Sequence, residues 1–418
     1  MSIEIAAIIG LAIMFVIATA LPINMGALAF VGAFIIGTLA EMPTRDIFAG
    51  FPGDLFVTLV GITYLFAIAQ KNGTIDWLVH KAVWLVYGRI AAIPWVMFLV
   101  AGILTSVGAV SPAAVAIIAP IALSFAYKYR ISPLLMGLMV IHGAQAGGFS
   151  PVSIYGSITN QVVSNAGLPG NEFALFMSSL AFNFAIAVVI FFFFGGHRAA
   201  HAASAIIADE QSRPELIQPR LDWHRSFTLA GLIILGVGSL VFDLNVGLVA
   251  ISVAVLLALL APNEQKNAVD QVSWSTVLLI TGVITYIAVL QKVGAVDMVG
   301  NSVTSIGAPL LGALLLCYIG GIVSAFASSV AVLGATIPLA VPFLLQGNID
   351  AVGVVSAIAV ASTIVDVSPF STNGALVVAS SQGTDKDHFY RQMLKYSAVV
   401  VVVGPLFVWL LLVVPGGL

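Results

Sequence analysis

The sequence predicts an all-α polytopic membrane protein built from two inverted five-span repeats, each with a re-entrant helical hairpin and a broken helix. Three features of the chain point there. First, 60% of its 418 residues are hydrophobic and only 8% are charged, too few charges to cover a soluble domain of this length. Second, the pattern Ser-Pro-x-Ser-x-x-Gly occurs twice, at Ser150–Gly156 and Ser368–Gly374, which lie 368 − 150 = 218 residues apart. At that offset Ser106 answers Ser324, Ser111 answers Ser329 and Pro120 answers Pro338. At offset 221, Gln70-Lys71 answers Gln291-Lys292 and Asn24-x-Gly26 answers Asn245-x-Gly247. One unit has been duplicated. Third, the basic residues are distributed unevenly between the loops, as the span count below makes explicit.

Apolar stretches of spanning length fall near residues 5–20, 24–41, 54–70, 173–194, 226–242, 245–261, 273–291 and 394–415. The first of these lacks a basic leader and a small-residue cleavage site, so it reads as a span rather than a signal peptide. Two more regions, 133–163 and 351–382, are apolar but interrupted by the Ser-Pro motifs, and are expected to be broken helices. That makes ten spans, five per repeat. Segments 92–126 and 309–345 are too long for one helix and have no polar loop for two, which predicts re-entrant hairpins with tips at Ser106–Pro112 and Ser324–Val330. Residues 74–89 and 295–307 read as amphipathic connectors at the membrane surface. The chain thus divides into a first repeat over 1–195, a polar linker over 196–225 and a second repeat over 226–418.

The positive-inside rule orients this layout. With Lys71, Lys81 and Arg89 in the cytoplasm, the ten spans place 13 of the 15 basic residues there, the exceptions being Arg45 and Lys292. Both termini then lie outside. An odd number of spans per repeat makes the second repeat inverted, so charge and duplication agree. The net charge of −3 gives no footing for a nucleic-acid partner. Cys317 is the lone cysteine, so no intrachain disulfide forms.

The motif chemistry points to ion binding. Pro151 and Pro369 interrupt their helices, and the half-helix N-termini that follow expose N–H groups suited to anions. The hydroxyls of Ser150, Ser153, Ser368 and Ser371 add donors for a carboxylate and lone pairs for a cation. Neither motif contains Arg or Lys, so a bound dianion favours a cation held nearby. Paired breaks of this kind in two halves mark a transporter's site near the bilayer midplane. Asp366, two residues before Ser368, is a candidate for cation or proton handling, or else a helix cap. His142 is either a ligand or a histidine bonded within the bundle. Asn373 has Tyr155 as its counterpart and breaks the pseudo-symmetry.

Taken together, Pro22–Gly26, Ile141–Pro151 and Ser368–Gly374 resemble the malonate carriers of the bacterial dicarboxylate-carrier group, over nearly the whole chain. More distantly, the layout is similar to the divalent-anion/sodium symporters. The resemblance implies a dimeric elevator with a transport and a scaffold domain. It also implies that hairpin tips and unwound helices hold carboxylate and sodium. In the symporters each tip carries Ser-Asn-Thr. Aligned on Pro120 and Pro338, those places hold Val110-Ser111-Pro112 and Ser328-Ser329-Val330 here. The upstream hydroxyls correspond to Ser106 and Ser324, and the unwound-helix positions to Phe149-Ser150-Pro151 and Val367-Ser368-Pro369. The tip Asn and Thr are replaced, which leaves proton coupling open beside sodium coupling.

The expectation is a secondary active carrier of a small dicarboxylate, malonate by resemblance, coupled to Na⁺ or H⁺ in a bacterial inner membrane, acting as a homodimer with no cofactor beyond a coupling Na⁺. Another anion transporter or a cation/proton antiporter on the same scaffold stands beside it. An enzyme is disfavoured because the chain lacks a zinc-protease motif, a nucleophile elbow and a phosphate loop. A channel is disfavoured because its spans carry no charged rings.

Overall fold

The computed structural model describes residues 2–85, 90–196, 221–242, 244–262, 266–299, 309–326, 329–345, 349–381 and 385–416. Regular structure among them is helical throughout. The first half runs α1 (Ile3–Ala20), α2 (Met25–Leu39), a short α3 (Thr44–Phe48), α4 (Gly53–Lys71) and α5 (Thr74–Leu85). It continues with α6 (Ile93–Ser106), α7 (Ser111–Lys128), α8 (Pro133–Gly147), α9 (Ile154–Asn165) and α10 (Glu172–Phe193). The second half runs α11 (Trp223–Leu240), α12 (Val246–Leu260), α13 (Trp274–Lys292), α14 (Pro309–Ser324), α15 (Ser329–Leu344), α16 (Ala351–Ile364), α17 (Thr372–Ala379) and α18 (Lys386–Leu412).

Helix starts follow from local chemistry. Asn24 caps α2 by accepting from the Gly26 and Ala27 amides, and Asn245 caps α12 by accepting from Leu248. The repeated Asn-x-Gly is therefore a helix start followed by a small residue. The two interrupted regions are broken as expected, between α8 and α9 and between α16 and α17. The two long apolar segments are helix pairs, α6–α7 and α14–α15, with their turns at 107–110 and after Ser324. Gly108 sits in the first turn at φ +115°, a conformation that a side chain opposes.

Three features differ from the sequence reading. Helix α3 breaks up the segment after the second span. Helix α18 starts at Lys386, eight residues before the apolar run at 394. Asp385 caps it by accepting from the Asp387 and His388 amides, so a polar first turn is helical where hydropathy sees none. Helix α7 has the length and hydropathy of a full span, as do α4, α10, α13 and α18, so the hairpin's second arm is not short. Most of the 196–225 linker and of the 295–307 connector lies outside the described residues.

Packing is reciprocal between the halves. Helix α2 lies on α13 and α4 on α12; α7 lies on α17 and α15 on α9. Likewise α6 and α10 flank α8, while α14 and α18 flank α16. Helices α8 and α16 are buried on almost every face, which is where helices apolar all round belong. The outer helices turn large apolar side chains outward, such as Phe193 on α10, Leu259 on α12 and Leu411 on α18. Apolar surface on that scale suits lipid rather than water. The chain is a polytopic membrane protein.

Candidate functional site

Each Ser-Pro motif builds a helix break with the same parts. The second serine is the cap of the following half-helix. Ser153 Oγ accepts from Gly156 N (3.2 Å) and donates to the carbonyls of Gly148 and Ser150, the latter at 2.6 Å. Ser371 Oγ accepts from Gly374 N (3.4 Å) and donates to the carbonyls of Asp366 and Ser368, both at 2.7 Å. The motif glycine is needed for the close return of the chain. A Cβ on Gly156 would come within 2.0 Å of the Ser150 carbonyl, and one on Gly374 within 1.9 Å of that of Ser368. Both hydroxyls are engaged by backbone groups in this structure, as caps of the half-helices that follow. Ser150 and Ser368, at the start of each motif, are buried. Ser368 Oγ accepts from Phe370 N at 3.2 Å.

The hairpins and breaks meet in one buried polar cluster. Asn373, in the first turn of α17, donates from Nδ2 to Asp366 Oδ2 and to Ser111 Oγ, each at 2.8 Å. Ser111 begins α7, so this amide ties the second break to the first hairpin. Ser324 at the end of α14 donates to Ser329 at the start of α15 (2.8 Å), closing the second hairpin's mouth. Ser329 faces the Asp366 carboxyl. Tyr155 on α9 faces both Ser111 and Asp366. The cluster draws on both hairpins and both broken helices, and Asp366 is its one acidic residue among those described.

The cluster is asymmetric where the sequence said it would be. Asp366 corresponds to Gly148 and Asn373 to Tyr155 at offset 218. A Cβ on Gly148 would lie 3.0 Å from the Tyr155 ring, so that ring fills the space a carboxyl would take in the first half. Tyr155 was noted in the sequence only as the partner of Asn373; its place against Ser111 and Asp366 comes from tertiary structure.

Other expected site residues lie close by or elsewhere. Ser106 Oγ sits against Gly147, where a Cβ would meet it at 2.6 Å. Phe149 and Val367 are fully buried beside the breaks, and Phe149 packs on Tyr155 with ring centroids 5.5 Å apart. Val330 is buried next to Ser329, and Pro112 lies in the first turn of α7. Pro151 and Pro369 stand in the breaks. Val110 lines an open cleft of about 130 Å³ with Thr63, Gln70 and Gln271 beside the first tip. Ser328 lies outside the described residues.

His142 is held in a separate network. Asn183 Nδ2 donates to the Ser179 carbonyl (3.0 Å), which leaves its Oδ1 to accept from His142 Nδ1 at 2.9 Å. His142 Nε2 therefore accepts from the Tyr396 hydroxyl at 2.8 Å. These are the roles of a neutral ring, whose two engaged nitrogens join α8 to α10 and α18. A lone asparagine inside the apolar run of α10 was the signal for this partner, and sequence reasoning passed over it.

The fold is that of a polytopic membrane protein with a buried polar cluster at paired helix breaks, an arrangement consistent with a transporter. Residues 1–148 match the family model described as the dicarboxylate carrier protein MatC N-terminus, and over that stretch the chain is consistent with a bacterial dicarboxylate carrier. The structure is similar to the crystal structure of the Alcanivorax borkumensis YdaH transporter, with a TM-score of 0.58 at 13% identity over 87% of this chain and 86% of that one. No curated protein sequence matches. The matches indicate a transporter rather than an enzyme.

Proposed function

We propose that the chain is a secondary active carrier of a small dicarboxylate, malonate by its resemblance, coupled to Na⁺ or H⁺ and working by alternating access in a bacterial inner membrane. The convergence of two hairpins and two helix breaks on one buried polar cluster carries this reading. A dicarboxylate would be recognised by the Ser150 and Ser368 hydroxyls and by the N-terminal amides of α9 and α17. None of the hydrogen bonds within the cluster comes from a basic side chain, so a co-transported cation would offset the substrate's charge.

Two observations support inverted repeats, and the charge count puts both termini outside. Packing partners exchange when the halves are exchanged, as a two-fold axis requires. Polar contacts also join residues that the charge count puts on one side. Lys71 Nζ donates to the Lys266 carbonyl and Arg225 Nε to that of Asn72, all on the cytoplasmic side by that count, while Lys292 Nζ donates to the Asp46 carbonyl on the other. In an elevator, α2, α4, α12 and α13 would be the scaffold and the hairpins with the broken helices the moving body. That motion and a homodimer rest on the family resemblance.

Counterflow of labelled malonate into proteoliposomes tests the reading. Trans-stimulated, saturable uptake is expected. Uptake linear in concentration and indifferent to internal malonate would instead indicate a channel or a different substrate.

A further inference from the structure

Building on the carrier reading above, we propose that the Asp366–Asn373 pair is the carrier's proton-binding site, and that the coupling ion is a proton rather than Na⁺. Asn373 uses its amide nitrogen twice, on Asp366 Oδ2 and Ser111 Oγ. That nitrogen has two hydrogens, so its donors are spent. Two buried acceptors are left over. Asp366 Oδ1 and Asn373 Oδ1 have no hydrogen-bond partner, in residues 3% and 0% exposed. Unpaired buried acceptors are costly and point to a missing partner.

A single proton on Asp366 supplies that partner. It turns one acceptor into a donor. The existing N–H···O bond holds the acid and the amide side by side, as needed for the carboxyl O–H to reach the amide oxygen. It also removes a charge from a residue only 3% exposed, where burial costs the charged form more than its neighbouring donors return. The groups facing the pair are the hydroxyls of Ser371 beside it, Ser111 from α7, Ser329 from α15 and Tyr155 from α9, together with the backbone N–H of Asn373 in the first turn of α17. Tyr155 is the titratable one among them, and no lysine, arginine or histidine among the described residues acts on the carboxyl. Ser329 points at the carboxyl without closing a hydrogen bond to Oδ1. Asp366 also follows the C-terminal end of α16, where the helix dipole disfavours negative charge.

The hairpin tips give little to sodium. At the tips, Pro112 and Val330 stand where the sodium symporters carry threonine, and neither offers a side-chain oxygen. The first half has Gly148 and Tyr155 in place of the acid and amide, so there is one such site per chain. The proton joins Asp366 from solvent while the site faces one side and leaves to solvent on the other, restoring the carboxylate.

The test uses the full chain in proteoliposomes, sodium-free, with the membrane potential clamped. An inward pH gradient of about one unit should drive roughly tenfold accumulation of labelled malonate per coupled proton. Asp366→Asn should bring that accumulation close to equilibration while lowering counterflow less. Infrared spectra add a readout that needs no substrate. Wild-type protein at neutral pH should show the carbonyl stretch of a protonated carboxylic acid, assigned with isotope-labelled aspartate and absent from Asp366→Asn. Should the variant fail to fold, the labelled wild-type spectrum decides alone. If wild-type counterflow were absent, the carrier reading would fall, and the spectrum would still report on the proton site. A missing carboxylic-acid band, or accumulation driven by a Na⁺ gradient and indifferent to pH, would overturn the proposal.

Discussion

Gly282 of α13 rests directly on the backbone of Gly26 in α2: a Cβ added to Gly282 would come within 2.1 Å of the Gly26 carbonyl oxygen. The same contact recurs with the halves exchanged, where a Cβ on Gly61 would meet the Gly247 carbonyl at 2.6 Å. Small residues at such crossings let membrane helices approach closely. Gly282→Val should force the two helices apart and cost about 1–3 kcal/mol or more. The expected result is a lower thermal midpoint in detergent and reduced yield of folded protein. An unchanged midpoint would mean that this crossing is not formed as described.

Ser150→Ala and Ser368→Ala should each weaken dicarboxylate transport while leaving the fold intact. A hydroxyl bonded to a charged oxygen contributes about 1.5–3 kcal/mol, or roughly tenfold to hundredfold in apparent affinity. Concentration dependence of counterflow reads this directly. Ser153→Ala and Ser371→Ala should act differently, through loss of a helix cap worth about 1 kcal/mol, and show mainly as lowered stability. Equal transport by wild type and both first-serine variants would remove those serines from the substrate site.

Tyr396→Phe should destabilise the bundle. It deletes the donor to His142 Nε2 and leaves a buried acceptor without a partner, at a cost of about 1–3 kcal/mol. Thermal unfolding measures the loss. The pH dependence of malonate uptake should stay as in the wild type, because the network is separate from Asp366. A shifted pH profile would make His142 part of coupling after all.

A single cysteine at Ser212, in the linker and outside the described residues, should react with an impermeant thiol reagent only after permeabilisation. The background would be Cys317→Ala, although Cys317 is fully buried in α14. Labelling in intact cells would reverse the orientation.

The apolar helices, the two helix pairs and both breaks were legible because each is a local property: an apolar run, or small residues and proline interrupting one. The Ser-Pro motif was legible as a break, but not the division of labour within it. Ser153 and Ser371 read as ligands in sequence, and in the structure their hydroxyls serve as caps. The Asn373–Ser111 bond joins residues 262 apart and His142–Tyr396 joins residues 254 apart. No pattern in one sequence encodes such pairings, since a polar residue in a span announces only that it has a partner. The start of α18 was missed for the opposite reason, because a cap and a charged turn leave no hydropathy signal.

The lack of basic side chains in the bonded cluster has an electrical consequence. A fixed lysine or arginine would cancel part of a dianion's charge and travel with it or against it. Here the bonded cluster supplies none, so the loaded site crosses with that charge uncancelled, and the net charge moved per cycle is the substrate's own plus whatever it brings along. Each uncompensated elementary charge is worth about 2.3 kcal/mol per 100 mV of membrane potential. A dianion moving with one proton is therefore opposed by an inside-negative cell when imported and favoured when exported, whereas two protons make the cycle blind to voltage. The voltage dependence of uptake thus counts the protons carried with each substrate.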